Sequence, residues 1–186
     1  MNDYIVEYIN SITGKIKDLE IDNISKVIIS IKEAHEKDRR IFVFGNGGSA
    51  ATANHFAADF GKNAIEDDDN RFKIISLSNN ISSITACGND LGFETVFEEQ
   101  LKNLMHEKDL IICISASGNS PNIIRAVEYA RKRNGTIIGI TGFNGGKLKQ
   151  ISDFNININS ESYEQIEDIH LMITHIIVYW FKMSQK

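Results

Sequence analysis

Five short runs rich in β-branched and apolar residues punctuate the chain: IFVFG at 41–45, KIISLS at 73–78, LIICIS at 110–115, TIIGIT at 136–141 and FNINI at 154–158. Most are nearly continuous in apolar character, the pattern of strands covered on both faces. The stretches between them are long enough for crossover helices, which parallel neighbours require. These runs predict an α/β fold built on a doubly wound, five-stranded parallel sheet.

The flanks are helical. Tyr4, Ile5, Tyr8, Ile9, Ile12 and Ile16 recur at helical spacing, as do Ile24, Val27, Ile28 and Ile31. They predict a helical lead-in over 1–39, ahead of an α/β core over 40–186. Between 163 and 182, Ile166, Ile169, Ile173, Ile176 and Ile177 recur without glycine or proline, which predicts one long packed helix. The only proline, Pro121, follows Ser120 and suits the first turn of a helix. With 186 residues and no internal repeat or linker, a single domain is expected.

Composition excludes several classes. Hydrophobic residues make up 42% and charged residues 24%, the balance of a soluble globular chain. No stretch approaches an uncharged bilayer span, and the start, MNDYIVEYIN, is acidic where a signal peptide is basic, so a cytoplasmic location and no membrane partner are expected. The formal charge of −5 comes without a basic run, which argues against nucleic acid as partner. Cys87 and Cys113 lie in apolar runs without CxxC spacing and read as reduced core thiols.

In parallel α/β sheets ligands bind beyond the carboxyl ends of the strands, so the residues that follow each strand carry the functional signal. GNGGSA at 45–50 follows the first run and opens a helix; its glycines allow close backbone approach, and amides at a helix start favour an anion. SASGNS at 115–120 follows the third run and supplies the hydroxyls of Ser115, Ser117 and Ser120 next to Gly118. Hydroxyls together with helix amides hold a phosphate without the lysine of a Walker sequence, which is absent. Gly45, Gly47 and Ala50 also fit a dinucleotide fingerprint, but that site needs an acidic residue after the second strand. Ser78, Asn79 and Asn80 stand there, while the acidic run at 67–69 precedes the strand.

GNGGSA, the pair His55 and Phe56, GNDLGF at 88–93, SASGNSPN, TGFNGGKL and the terminal EDIHLMITH together resemble the SIS sugar-isomerase superfamily, and within it the phosphoheptose isomerases. The resemblance implies a flavodoxin-like sheet, a homotetramer with active sites at subunit interfaces, and conversion of sedoheptulose 7-phosphate to D-glycero-D-manno-heptose 7-phosphate through an enediol. It places substrate contacts on Asn46, Gly47, Gly48, Ser49, Asn89, Asp90, Ser115, Ala116, Ser117, Ser120 and Glu167. Ala116 replaces a common threonine. The catalytic base falls on Asp59, where the family has glutamate, and the catalytic histidine on His175. Some members bind zinc through the positions of His55, Asp59, Glu167 and His175, with glutamine in place of Glu167, so zinc or another divalent ion is the implied cofactor.

A carboxylate and an imidazole suffice in kind for aldose–ketose isomerisation, which moves a proton between adjacent carbons. His55 and Asp59, four apart, fall on one helix face, and Glu167 and His175 share a broader face of the last helix. His170 lies at a different angle and reads as a packing residue or a partner behind the site. Taken singly, these side chains are ordinary helix residues; the resemblance singles them out. The alternatives are an isomerase of another ketose phosphate and a non-catalytic SIS module that binds a sugar phosphate or a protein partner.

Overall fold

The computed structural model describes residues 2–64 and 70–184, so the acidic run at 67–69 lies outside the described residues. Strands β1 (Arg40–Gly45), β2 (Lys73–Ser76), β3 (Leu110–Ser115), β4 (Thr136–Gly142) and β5 (Phe154–Ile158) form one parallel sheet in the order β2-β1-β3-β4-β5. Helices α1 (Asn2–Lys17) and α2 (Ile21–Glu36) lead in. Then follow α3 (Gly48–Asn63), α4 (Ile81–Asp90), α5 (Val96–Leu104), α6 (Pro121–Lys132), α7 (Gly146–Ile151) and α8 (Tyr163–Ser184). The expected parallel α/β sheet is the one observed.

Side-chain alternation along each strand explains the two layers of helices. Ile41, Val43, Leu110, Ile112, Ile114, Ile138 and Ile140 pack against α2, α3 and α8. Phe42, Phe44, Ile111, Cys113 and Ile137 point the other way, toward α5 and α6. Cys113 is fully buried, whereas Cys87 is half-buried at the margin of the second cluster. Helix α1 has no buried residue; its ties to the body include Tyr8 Oη donating to Asp168 Oδ2 at 3.0 Å and Gln165 Nε2 donating to Ser11 Oγ at 3.0 Å.

Two buried or half-buried carboxylates fasten the amino ends of the sheet. Asp109 accepts from the Arg40 and His106 amides at 2.9 and 2.8 Å, and Asp153 accepts from the Ile137 amide at 2.8 Å. The second strand ends earlier than its apolar run predicts. Ser78 leaves the ladder because its hydroxyl accepts from the Gly45 amide and donates to the Gly45 carbonyl, at 3.1 and 2.9 Å, an example of side chains competing with sheet pairing.

Between β1 and β3 the order of the sheet reverses: α3 runs from β1 toward β2, and α6 from β3 toward β4. The connections diverge there and leave a crevice at the carboxyl edge. Gly45 pairs with Ile114, so GNGGSA and SASGNS emerge side by side. No described helix is long and apolar enough to cross a membrane.

Candidate active site

Gly47 takes φ of +54°, a conformation that favours glycine, and turns the chain so that α3 starts at the crevice. Across the gap, Gly118 has φ of +62° and its amide donates to Ser115 Oγ at 3.2 Å, which folds the serine loop back on its strand. The two loops are joined through their side chains: Asn46 and Asn122 each donate an amide hydrogen to the other's Oδ1 at 2.9 Å. Pro121 occupies the first turn of α6, as its position in the sequence predicts.

Asn46, Ser49, Ser115, Ala116, Ser117, Ser120 and Glu167 line one cavity of about 170 Å³, together with Ile114 and Tyr163. Glu167 comes from α8 and lies against Gly48, where an added methyl group would overlap its carboxylate. Asn89 and Asp90 stand elsewhere, exposed at the end of α4, with Asn89 Nδ2 donating to Asp90 Oδ1 at 2.7 Å.

Further along the same pair of helices, a second group assembles. His55 Nε2 lies 3.3 Å from Asp59 Oδ2, and His175 Nε2 lies 3.7 Å from that oxygen and 3.3 Å from His55 Nε2. One ligand atom from each of these residues falls within 4.8 Å of the others. Two imidazole nitrogens and a carboxylate oxygen converging in this way suit a divalent ion such as zinc. Glu167 is not in this group; eight residues before His175, it contacts α3 about two turns lower.

The contacts Gly48–Glu167 and His55–His175 occur in the same order along α3 and α8, so the helices run side by side in one direction. Gly48, Thr52, His55 and Asp59 form a stripe at helical spacing facing α8, and Thr52 is buried between the two ends. His170 holds α8 to the sheet: it is fully buried, its Nε2 is 3.1 Å from the Thr141 carbonyl, and burial pushes its imidazole down to about 4. An imidazole kept neutral and turned to the sheet is a packing group, as its angular position predicts.

The sequence reading omitted Asn122 and Tyr163. Asn122 stands directly behind Pro121 in SASGNSPN, where a polar residue in a first helical turn signals a local hydrogen-bonding role. Tyr163 is four residues before Glu167 and therefore shares its helix face. Its ring meets Phe143 edge-on, with centroids 4.9 Å apart.

Residues 4–142 match the SIS domain family. The phosphoheptose isomerase of Nitratiruptor sp. is 41% identical over 145 residues, covering 78% of this chain and 77% of that protein. The chain belongs to the phosphoheptose isomerase family of SIS-domain proteins. The family member from Aneurinibacillus thermoaerophilus is 36% identical over 182 residues, covering 95% of this chain and 91% of its own. The solved phosphoheptose isomerase of Neisseria gonorrhoeae superimposes with a TM-score of 0.87 at 29% identity, covering 98% of this chain and 96% of that one. The family likeness thus extends to α8, which carries Glu167 and His175.

Proposed function

We propose that this protein is an aldose–ketose isomerase that interconverts sedoheptulose 7-phosphate and D-glycero-D-manno-heptose 7-phosphate. The supporting observation is the arrangement along α3 and α8, with a hydroxyl-lined cradle at one end and His55, Asp59 and His175 at the other. The relatives named phosphoheptose isomerase point to the same substrate class.

The spacing suits a substrate of this length. Gly48 and His55 are seven residues apart on one helix, an axial offset of roughly 10 Å. Extended chains advance about 3.5 Å per three bonds, so the seven bonds from C2 to phosphorus cover about 8 Å. A ligand of this length is therefore comparable to the offset between the crevice and the histidines.

Asp59 takes the C1 proton of the ketose while His175 gives a proton to the C2 oxygen, which forms the enediol. Proton return to C2 and loss of the proton from the C1 oxygen complete the aldose. When bound, a divalent ion held by His55, Asp59 and His175 would polarise the carbonyl. Contacts from Asn46, Gly47, Gly48, Ser49, Ser115, Ala116, Ser117 and Ser120 complete the proposed substrate site within one chain, and Asn89 and Asp90, exposed at the end of α4, would contribute only across a subunit boundary.

Assembly as a homotetramer, with active sites at subunit boundaries, accounts for exposed apolar surface. Tyr4, Ile5, Val6 and Ile9 on α1 are each at least half exposed, and Tyr179 and Trp180 on α8 are exposed near His175 in sequence. Two free cysteines suit the reducing cytoplasm, where we place the protein.

The test is turnover of sedoheptulose 7-phosphate in deuterium oxide. Deuterium is expected at C2 of the aldose, and His175→Ala is expected to abolish incorporation while phosphate binding persists. Undiminished exchange in His175→Ala removes the assignment of that group.

A further inference from the structure

Two helices begin at the crevice, and their starts are chemically unlike. The first residue of α3, Gly48, lies against the Glu167 carboxylate, so an anion from the protein itself occupies the electropositive end of that helix. A side chain at position 48 would push the carboxylate out. The start of α6 is faced instead by the hydroxyls of Ser115, Ser117 and Ser120. Among the described residues lining the cavity, Glu167 alone bears a formal charge, and none is basic.

A phosphate entering this cavity meets two seats of unequal quality. At the α3 end it faces a carboxylate, and like charges in a half-enclosed cavity repel far more strongly than in water. At the α6 end it meets neutral donors. The carboxylate has lone pairs for hydroxyl donors, and a sugar chain carries several. Building on the sugar-phosphate reading of the cavity, we propose that Glu167 fixes the polarity of the bound ligand: it denies the α3 end to phosphate and accepts a hydrogen bond from a sugar hydroxyl there. Glu167 is then a specificity determinant that favours a polyol phosphate over inorganic phosphate.

The probes are inorganic phosphate and the alditol phosphate made by reducing sedoheptulose 7-phosphate, which lacks a carbonyl and cannot isomerise. Calorimetric titrations use the full-length, chelator-treated protein, so that no cation masks the carboxylate. In Glu167→Gln, inorganic phosphate is expected to bind about tenfold more tightly, because a unit charge near the anion is gone. In Glu167→Ala, which removes the acceptor as well, the preference for alditol phosphate over inorganic phosphate is expected to fall about tenfold, the scale of one hydrogen bond to a charged group. A general loosening of the pocket weakens both ligands together and predicts neither sign. Unchanged or weaker phosphate binding in Glu167→Gln, or an unchanged preference in Glu167→Ala, overturns the proposal while the isomerase reading stands. Failure of the parent protein to bind either ligand overturns both.

Discussion

Asn46 and Asn122 exchange two hydrogen bonds of 2.9 Å and so hold the glycine loop after β1 to the serine loop after β3. Asn122 is only 2% exposed, and its Oδ1 also accepts from the Ile123 amide at 2.9 Å. Asn122→Ala therefore strands three polar groups at the head of the crevice. Leaving buried donors or acceptors unmet costs about 1–3 kcal/mol, which urea unfolding should read directly. Because the change frees both loops, KM for the sugar phosphate should rise about tenfold, with a smaller effect on kcat.

Gly118 tests the serine loop from its other side. A Cβ there would overlap the Gly145 carbonyl, and the neighbouring contacts are tight: the Leu148 amide donates to the Gly118 carbonyl and the Lys147 amide to Asn119 Oδ1, both at 2.9 Å. With φ of +62°, any residue with a side chain also brings strain of about 1–2 kcal/mol. Gly118→Ala should raise KM at least tenfold and lower the melting temperature by several degrees. A normal KM in the folded variant would show that the loop's shape does not govern binding.

The strands were legible because burial on both faces leaves runs such as LIICI at 110–114 without a strongly polar position. The two loops were legible because glycine- and serine-rich segments follow two strands at equivalent ends, which turn formation alone does not require. The early end of β2 was not, since KIISLS reads as strand until one knows that the Ser78 hydroxyl binds Gly45. Nor was the separation of Glu167 from the two histidines. Residues eight apart on a helix differ by about 80° in direction and about 12 Å in height. Which neighbour each one meets is decided by how α3 packs on α8, and no local pattern encodes that.

His170 gives a stability prediction with a definite sign. Its imidazole is held at about 4 in the fold against an ordinary 6.5, so between these values the unfolded chain binds a proton that the folded one refuses. The group's contribution is therefore fully present above pH 6.5 and is lost as pH falls toward 4. The slope is about 1.4 kcal/mol per pH unit, or about 2 kcal/mol by pH 5. His170→Gln keeps a donor for the Thr141 carbonyl and removes the titration. Urea unfolding at pH 7.5 and pH 5 should show the parent losing about 2 kcal/mol more than this variant.

The cluster of His55, Asp59 and His175 makes the remaining prediction. Two Nε2 atoms 3.3 Å apart and a shared carboxylate oxygen lie close enough together to ligate one cation at a common point. Asp59 reaches that point despite its shorter side chain, so its charge rather than its length should govern affinity. Asp59→Asn preserves shape and removes the charge. Even partners one step removed from a metal cost ten- to hundredfold in affinity when changed, so a direct ligand should cost at least about a hundredfold. Competition with a chromophoric chelator measures this, and elemental analysis gives the stoichiometry. Chelation of the parent should remove turnover and added zinc restore it, whereas Asp59→Asn should respond to neither. Equal zinc affinity in parent and variant would take Asp59 out of the metal site and leave it as a base alone.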